Sequence, residues 1–109
     1  MKPGSASYTV AVDDVAVCVA AWQRFGPEVR RDVICNVTSV AAPGRKAAAA
    51  LLVAACDDVD ADVRRLAVWG LQGLGKRLAR PHIAMLQAMQ HDSDAGVRRA
   101  AEATLRWLE

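Results

Sequence analysis

Histidine is almost missing from this chain: His82 and His91, nine residues apart, are its only two. The dipeptide His91-Asp92 stands alone, without the further His and Asp ligands that a phosphohydrolase metal centre requires. Cysteine is scarce as well. Cys18, Cys35 and Cys56 are odd in number, lie within apolar runs and form no CxxC pair. They argue against a zinc site and read as reduced core residues of a cytoplasmic protein. No GxxxxGK[ST], no glycine-rich turn after a strand and no nucleophile elbow occurs. The net charge is only +2, so no global field demands a nucleic-acid or membrane partner. Aromatics are few: Tyr8, Trp22, Phe25, Trp69 and Trp107. The leading MKPGSASYTVAVDDV has no apolar run long enough for a signal peptide, and no later run would span a bilayer. With no residue set for a metal, a cofactor or a nucleophile, the expectation is a non-catalytic protein.

What the chain does have is repetition. DADVRRLAVWGLQGLG begins at Asp60 and DAGVRRAAEATLRWLE at Asp94, 34 residues on, and GPEVRRDVICNVTSVA falls in the same register. The offset aligns Val29, Val63 and Val97, then Arg30, Arg64 and Arg98, then Arg31, Arg65 and Arg99. Further on, Val37 meets Leu71 and Leu105, and Val40 meets Leu74 and Leu108. Upstream, Leu52 meets Leu86 and Asp58 meets Asp92. Such a period marks an array of like units.

Each unit divides into two helices. RKAAAALLVAAC has high helix propensity and follows Pro43-Gly44. RPHIAMLQAMQ carries Pro81 in a first turn, where proline is tolerated. The acidic runs DDVDAD and HDSDAG cap the helices that follow them. In the second helix of unit two, Val63, Ala67, Gly70 and Leu74 share a face flanked by Leu66 and Leu71. Gly70, Gly73 and Gly75 lower its propensity, and its tail is expected to fray near Gly73. VAVDDVAVCVAAWQRF is rich in valine, yet the register makes it a helix too. The expected architecture is all-α: a flexible tail over 1–9, then one domain of three helical hairpins, about 10–41, 44–75 and 78–109. One hairpin cannot bury its apolar stripe alone, whereas stacked hairpins share a core.

The pattern D-x-x-x-x-V-R-x-x-A-x-x-x-L-x-x-L resembles HEAT repeats, above all the short bacterial kind similar to those of bilin lyases. Asp58, Val63, Arg64, Ala67, Leu71 and Leu74 carry it in unit two. Asp92, Val97, Arg98, Ala101, Leu105 and Leu108 carry it in unit three. Unit one departs, with Arg24 at the aspartate position, although Val29 and Arg30 remain. The resemblance implies an α-solenoid used for scaffolding and binding. It also implies a structural ladder of Asp58, Arg64, Asp92 and Arg98 between neighbouring units.

In a solenoid the second helices form the natural binding ridge. Phasing puts Arg65, Val68, Trp69 and Gln72 on it. The repeat adds Arg31, Ile34, Cys35 and Thr38 on one side, and Arg99, Glu102, Ala103 and Arg106 on the other. Arginine and tryptophan dominate interface energetics, and Trp69 is the leading candidate. The arginines have a second reading, as solvated groups or partners of Glu28, Asp60, Asp62 and Asp94. No histidine has the repeat phase to activate Cys35. Arg45, Lys46, Lys76, Arg77 and Arg80 fall in loops between units, a basic edge that could hold phosphates. Trp107 and Leu108 lie at the last helix, where either a second copy or a partner, or local packing of Trp107, closes the end.

The leading expectation is therefore a protein-binding scaffold, adaptor or inhibitor of the immunity type, acting through its ridge on another protein. Nucleic-acid or phosphate binding through the arginine rows and basic edge is the second reading. A role as accessory subunit of a bilin-lyase-like enzyme is the third, implied by the resemblance alone. No cofactor is expected.

Overall fold

The turn that opens two of the helices is written alike twice and folds alike twice. Asp60 and Asp94 have extended backbone, with φ −87°, ψ 124° and φ −95°, ψ 129°. Each carboxylate accepts the amide N–H three residues on, from Val63 and Val97, at 3.0 Å. Two donors left open by the helix N-termini are thereby satisfied. Asp58 and Asp92, two residues earlier, accept the amides of Asp60 and Asp94 at 3.0 and 2.9 Å. Each D-x-D turn is thus closed by its own side chains.

The computed structural model describes residues 19–37 and 44–109. Residues 19–21 are helical and run into a 3-10 turn, Trp22–Arg24. There follow α1 (Pro27–Val37), α2 (Arg45–Ala55), α3 (Ala61–Leu74) and a short α4 (Lys76–Ala79). A 3-10 turn, Arg80–His82, leads into α5 (Ile83–Met89), and α6 (Ala95–Leu108) comes last. The described residues are all-α, with six α-helices and no strand. The tail expected over 1–9, Thr38, and most of the first helix expected from residue 10 lie outside them. No helix among them is long and apolar enough to cross a membrane.

Two boundaries differ from expectation. α3 does not fray at Gly73 but runs to Leu74, stopping at Gly75, whose φ of +108° and ψ of 164° are accessible essentially to glycine alone. The chain then turns helical again at once as α4. Pro81 sits at the start of the 3-10 turn, where its missing N–H leaves no helical bond unmade. The first helix of unit three is therefore built in two pieces, α4 and α5.

α3 is the centre of the packing. It lies against α2 within its own unit, against α1 on one side and α6 on the other, while α5 packs on α6. Val63, Ala67, Val68, Leu71 and Leu74 of α3 meet a core supplied by Ile34 and Val37, by Leu51, Leu52 and Ala55, and by Val97, Ala101 and Leu108. Ala48, Ala49 and Ala55 are the buried alanines of α2; such small side chains let helix backbones approach closely.

Three positions correct the expected faces. Ile34 and Val68, placed on the exposed ridge by phasing, are 1% and 0% exposed. Val68 lies on α3, whose neighbours in front and on both flanks bury a wider arc than the single stripe assumed from its period, and Ile34 lies on α1, which packs against α3. Val29 differs in the opposite sense: Val63 and Val97 are fully buried, yet Val29 is 47% exposed. In unit one the D-x-D turn is replaced by Trp22–Arg24 and Gly26-Pro27, so α1 begins differently.

Candidate functional site

Arginine–aspartate pairs tie each unit to the next. Arg64 turns its Nε and Nη2 edge on the Asp92 carboxylate, with both bonds 2.9 Å long. Its Nη1 donates to the carbonyls of Asp58 and Val59 at 2.8 and 3.1 Å. One guanidinium thus closes its own turn and grips the turn of the next unit, in the two-bond geometry that makes arginine–carboxylate contacts strong. Burial alone would raise the Asp92 carboxyl. The bonds from Arg64, the Asp94 amide and the charges of Arg64 and Arg98 outweigh it and hold that carboxyl below its usual range. The hydrogen bond to Asp92 raises Arg64 in turn.

One unit earlier the pair is Arg30 with Asp58, at 2.6 Å and again 28 residues apart. Arg30 also donates Nε to the Trp22 carbonyl at 3.0 Å and lies 5.4 Å over the Trp22 ring. Trp22 donates its indole N–H to Asp58 at 3.3 Å and meets Phe25 edge-on. Neither Arg30 nor Trp22 belonged to the expected ladder. The signal for Arg30 was present in its register with Arg64. Arg24 at unit one's aspartate position drew attention away, although the aspartate that matters to Arg30 lies in unit two. Arg98 departs from the expectation: it donates Nη1 to the Asp92 carbonyl at 2.7 Å and meets no carboxylate among the described residues.

On the ridge, Trp69 is 41% exposed and borders a groove of about 360 Å³ between α1 and α3. Ile34 and Leu66 form its apolar floor, and Cys35, Gly70 and Gly73 line it with Trp69. Arg31 lies 3.6 Å from Asp60 and 3.7 Å from Asp62, while Arg65 lies 3.3 Å from Asp62. All three pairs are partly solvated and are worth little individually. Arg99 is exposed and makes no ion pair with a described residue. Arg106 pairs with Glu102 at 3.1 Å on the exposed side of α6. Gln72 reaches the buried Thr104 hydroxyl at 3.5 Å, and that hydroxyl donates to the Ala100 carbonyl at 2.8 Å. Gln72 is thereby drawn partly into the α3–α6 contact. Ala103 is half-buried.

The five basic residues expected in loops lie in helical segments instead, Arg45 and Lys46 at the start of α2, Lys76 and Arg77 at the start of α4 and Arg80 in the 3-10 turn, and all are exposed. Lys76 stands 5.5 Å from the centre of the half-buried Trp107 ring. With Leu108 buried beside it, the contact covers part of the α6 end. Burial pushes the Cys56 thiol up to about 12, so it stays protonated near neutrality. Among the described residues, no three His, Cys, Asp or Glu side chains cluster in a way that could hold a metal ion. Comparisons of the chain with protein-family models, with curated proteins and with solved structures return no match.

Proposed function

We propose that this protein is a HEAT-like stack of helical hairpins that binds another protein on the ridge of its second helices, centred on Trp69. The observation that carries the reading is the Trp69 ring beside the groove floored by Ile34 and Leu66. A half-exposed tryptophan beside an apolar depression, with Arg31 and Arg65 one helical turn before Cys35 and Trp69, has the composition of an interface centre. Arg31 and Arg65 hold loose, partly solvated acid partners that an incoming carboxylate can displace. The repeated 28-residue Arg–Asp spacing supports the stacked-hairpin reading, because one contact recurs between successive units. Affinity purification from the source organism tests it. The wild-type chain should retain a specific protein that Trp69→Ala combined with Arg65→Glu loses. Equal recovery by both would place binding elsewhere.

Phosphate or nucleic-acid binding has one observation in its favour: Arg45, Lys46, Lys76, Arg77 and Arg80 are exposed and form no ion pair with described residues. Binding of that kind weakens steeply as salt rises. Absence of DNA or RNA binding at modest ionic strength would remove this reading.

A further inference from the structure

One aspartate serves two arginines at the first junction of the ridge, and its counterpart is missing from the second. Asp62, near the start of α3, lies 3.7 Å from Arg31 of α1 and 3.3 Å from Arg65 of its own helix. Gly96 holds the equivalent place in α6, 34 residues on and three residues before Arg99. A side chain added at Gly96 would begin 3.4 Å from Arg65 Cδ and 3.9 Å from its Nη1. The Arg65 guanidinium therefore already reaches the start of α6. Arg31 has Asp60 as well, at 3.6 Å, whereas the counterpart Asp94 forms no ion pair with Arg65. The start of α6 thus lacks the carboxylate that the start of α3 shares between two arginines. Trp69 stands one helical turn beyond Arg65, and the groove floored by Ile34 and Leu66 opens beside its ring. An unmatched positive place next to an apolar slot calls for a carboxylate and an apolar side chain in one ligand.

We propose that the ridge binds an acidic peptide segment of its partner. An aspartate or glutamate of that segment takes the place left open at Gly96, within reach of Arg65 and Arg99, and a neighbouring apolar side chain fills the groove beside Trp69. The inference rests on the ridge being the binding face and adds the partner's chemistry. A basic segment is disfavoured, because the row of Arg31, Arg65 and Arg99 repels it.

The test pans a phage library of short random peptides on the full chain and titrates the most enriched peptide, synthesised, by fluorescence anisotropy. Enriched sequences should pair Asp or Glu with a bulky apolar residue. Gly96→Asp fills the open place from within, and Arg65→Gln removes the guanidinium; each should weaken the peptide about tenfold, with helix content unchanged by circular dichroism. Amidating the peptide's acid should do the same. Arg24→Gln, an equal loss of charge in the 3-10 turn before α1, should leave affinity unchanged. Peptides lost with Trp69→Ala but held equally by wild type and Gly96→Asp overturn the acidic partner and leave the ridge reading standing. No enrichment, or binding that survives Trp69→Ala, overturns both. A DNA oligonucleotide bound by wild type and lost with Gly96→Asp would assign the arginines to phosphate instead, and a dimer abolished by Trp69→Ala would assign the groove to a second copy.

Discussion

Arg64 commits four of its five N–H donors, two to the Asp92 carboxylate and two to the carbonyls of Asp58 and Val59. A lysine would keep the charge and lose the fork. Asp92 is equally committed, since it also accepts the Asp94 amide that shapes the turn. Asp92→Asn should cost about 1.5–3 kcal/mol, the range for hydrogen bonds to charged groups, measured by denaturant unfolding at neutral pH. The same carboxyl predicts an acid dependence. Because its folded value lies below its unfolded one, the unfolded chain binds the proton more readily. The contribution of Asp92 is complete above the ordinary carboxylate value, roughly pH 4. It is lost as pH falls from there through the lower folded value. Unfolding curves for Asp92→Asn should flatten in that window relative to wild type. An unchanged slope would mean that the carboxylate is not held by Arg64 in solution.

At the scale of the helix, the N-terminal turns and the glycine stop decide where α3 and α6 lie. Gly75 has open space where a Cβ would sit, so its requirement is one of backbone conformation only. Gly75→Ala should destabilise by about 1–3 kcal/mol, and circular dichroism melts would detect it. A substitution at Gly96 should act in the other direction. Asp62 occupies the equivalent place in α3 and pairs with Arg31, while at Gly96 a Cβ would approach Arg65 Cδ at 3.4 Å and Asp94 Oδ2 at 3.0 Å. α3 accommodates an aspartate beside an identical cap, so Gly96→Asp should raise stability by up to about 1 kcal/mol. A loss in Tm would show that the Asp94 cap cannot yield. These features also explain what could be read beforehand. The caps Asp60 and Asp94 and the helices α3 and α6 were legible because short-range chemistry specifies them. The burial of Val68 and Ile34 was not, because it depends on which helices pack around α3 and on how α1 lies against it. Pro81 was correctly assigned to a first turn, yet the division of that helix into α4 and α5 follows from the restart after Gly75, which composition does not reveal.

For the molecule as a whole, the period of 34 residues becomes meaningful as a contact that recurs between neighbours. Arg30 reaches Asp58 and Arg64 reaches Asp92 across the same 28 positions, and α3 packs on α6 within the one core that holds Val63, Ala67, Leu71, Val97 and Ala101. The candidate ridge was legible in part: Trp69 and the arginine row stand outside, while two of its apolar members belong to the core. The energetic coupling between neighbouring units is the quantity that these recurring contacts predict most directly. A double-mutant cycle of Arg64→Ala and Asp92→Ala, followed by equilibrium unfolding, measures it directly. Coupling of about 1.5–3 kcal/mol is predicted, with Arg98→Ala showing far less destabilisation than Arg64→Ala. Additivity of the two substitutions to within about 0.5 kcal/mol would contradict a stack held together by this pair.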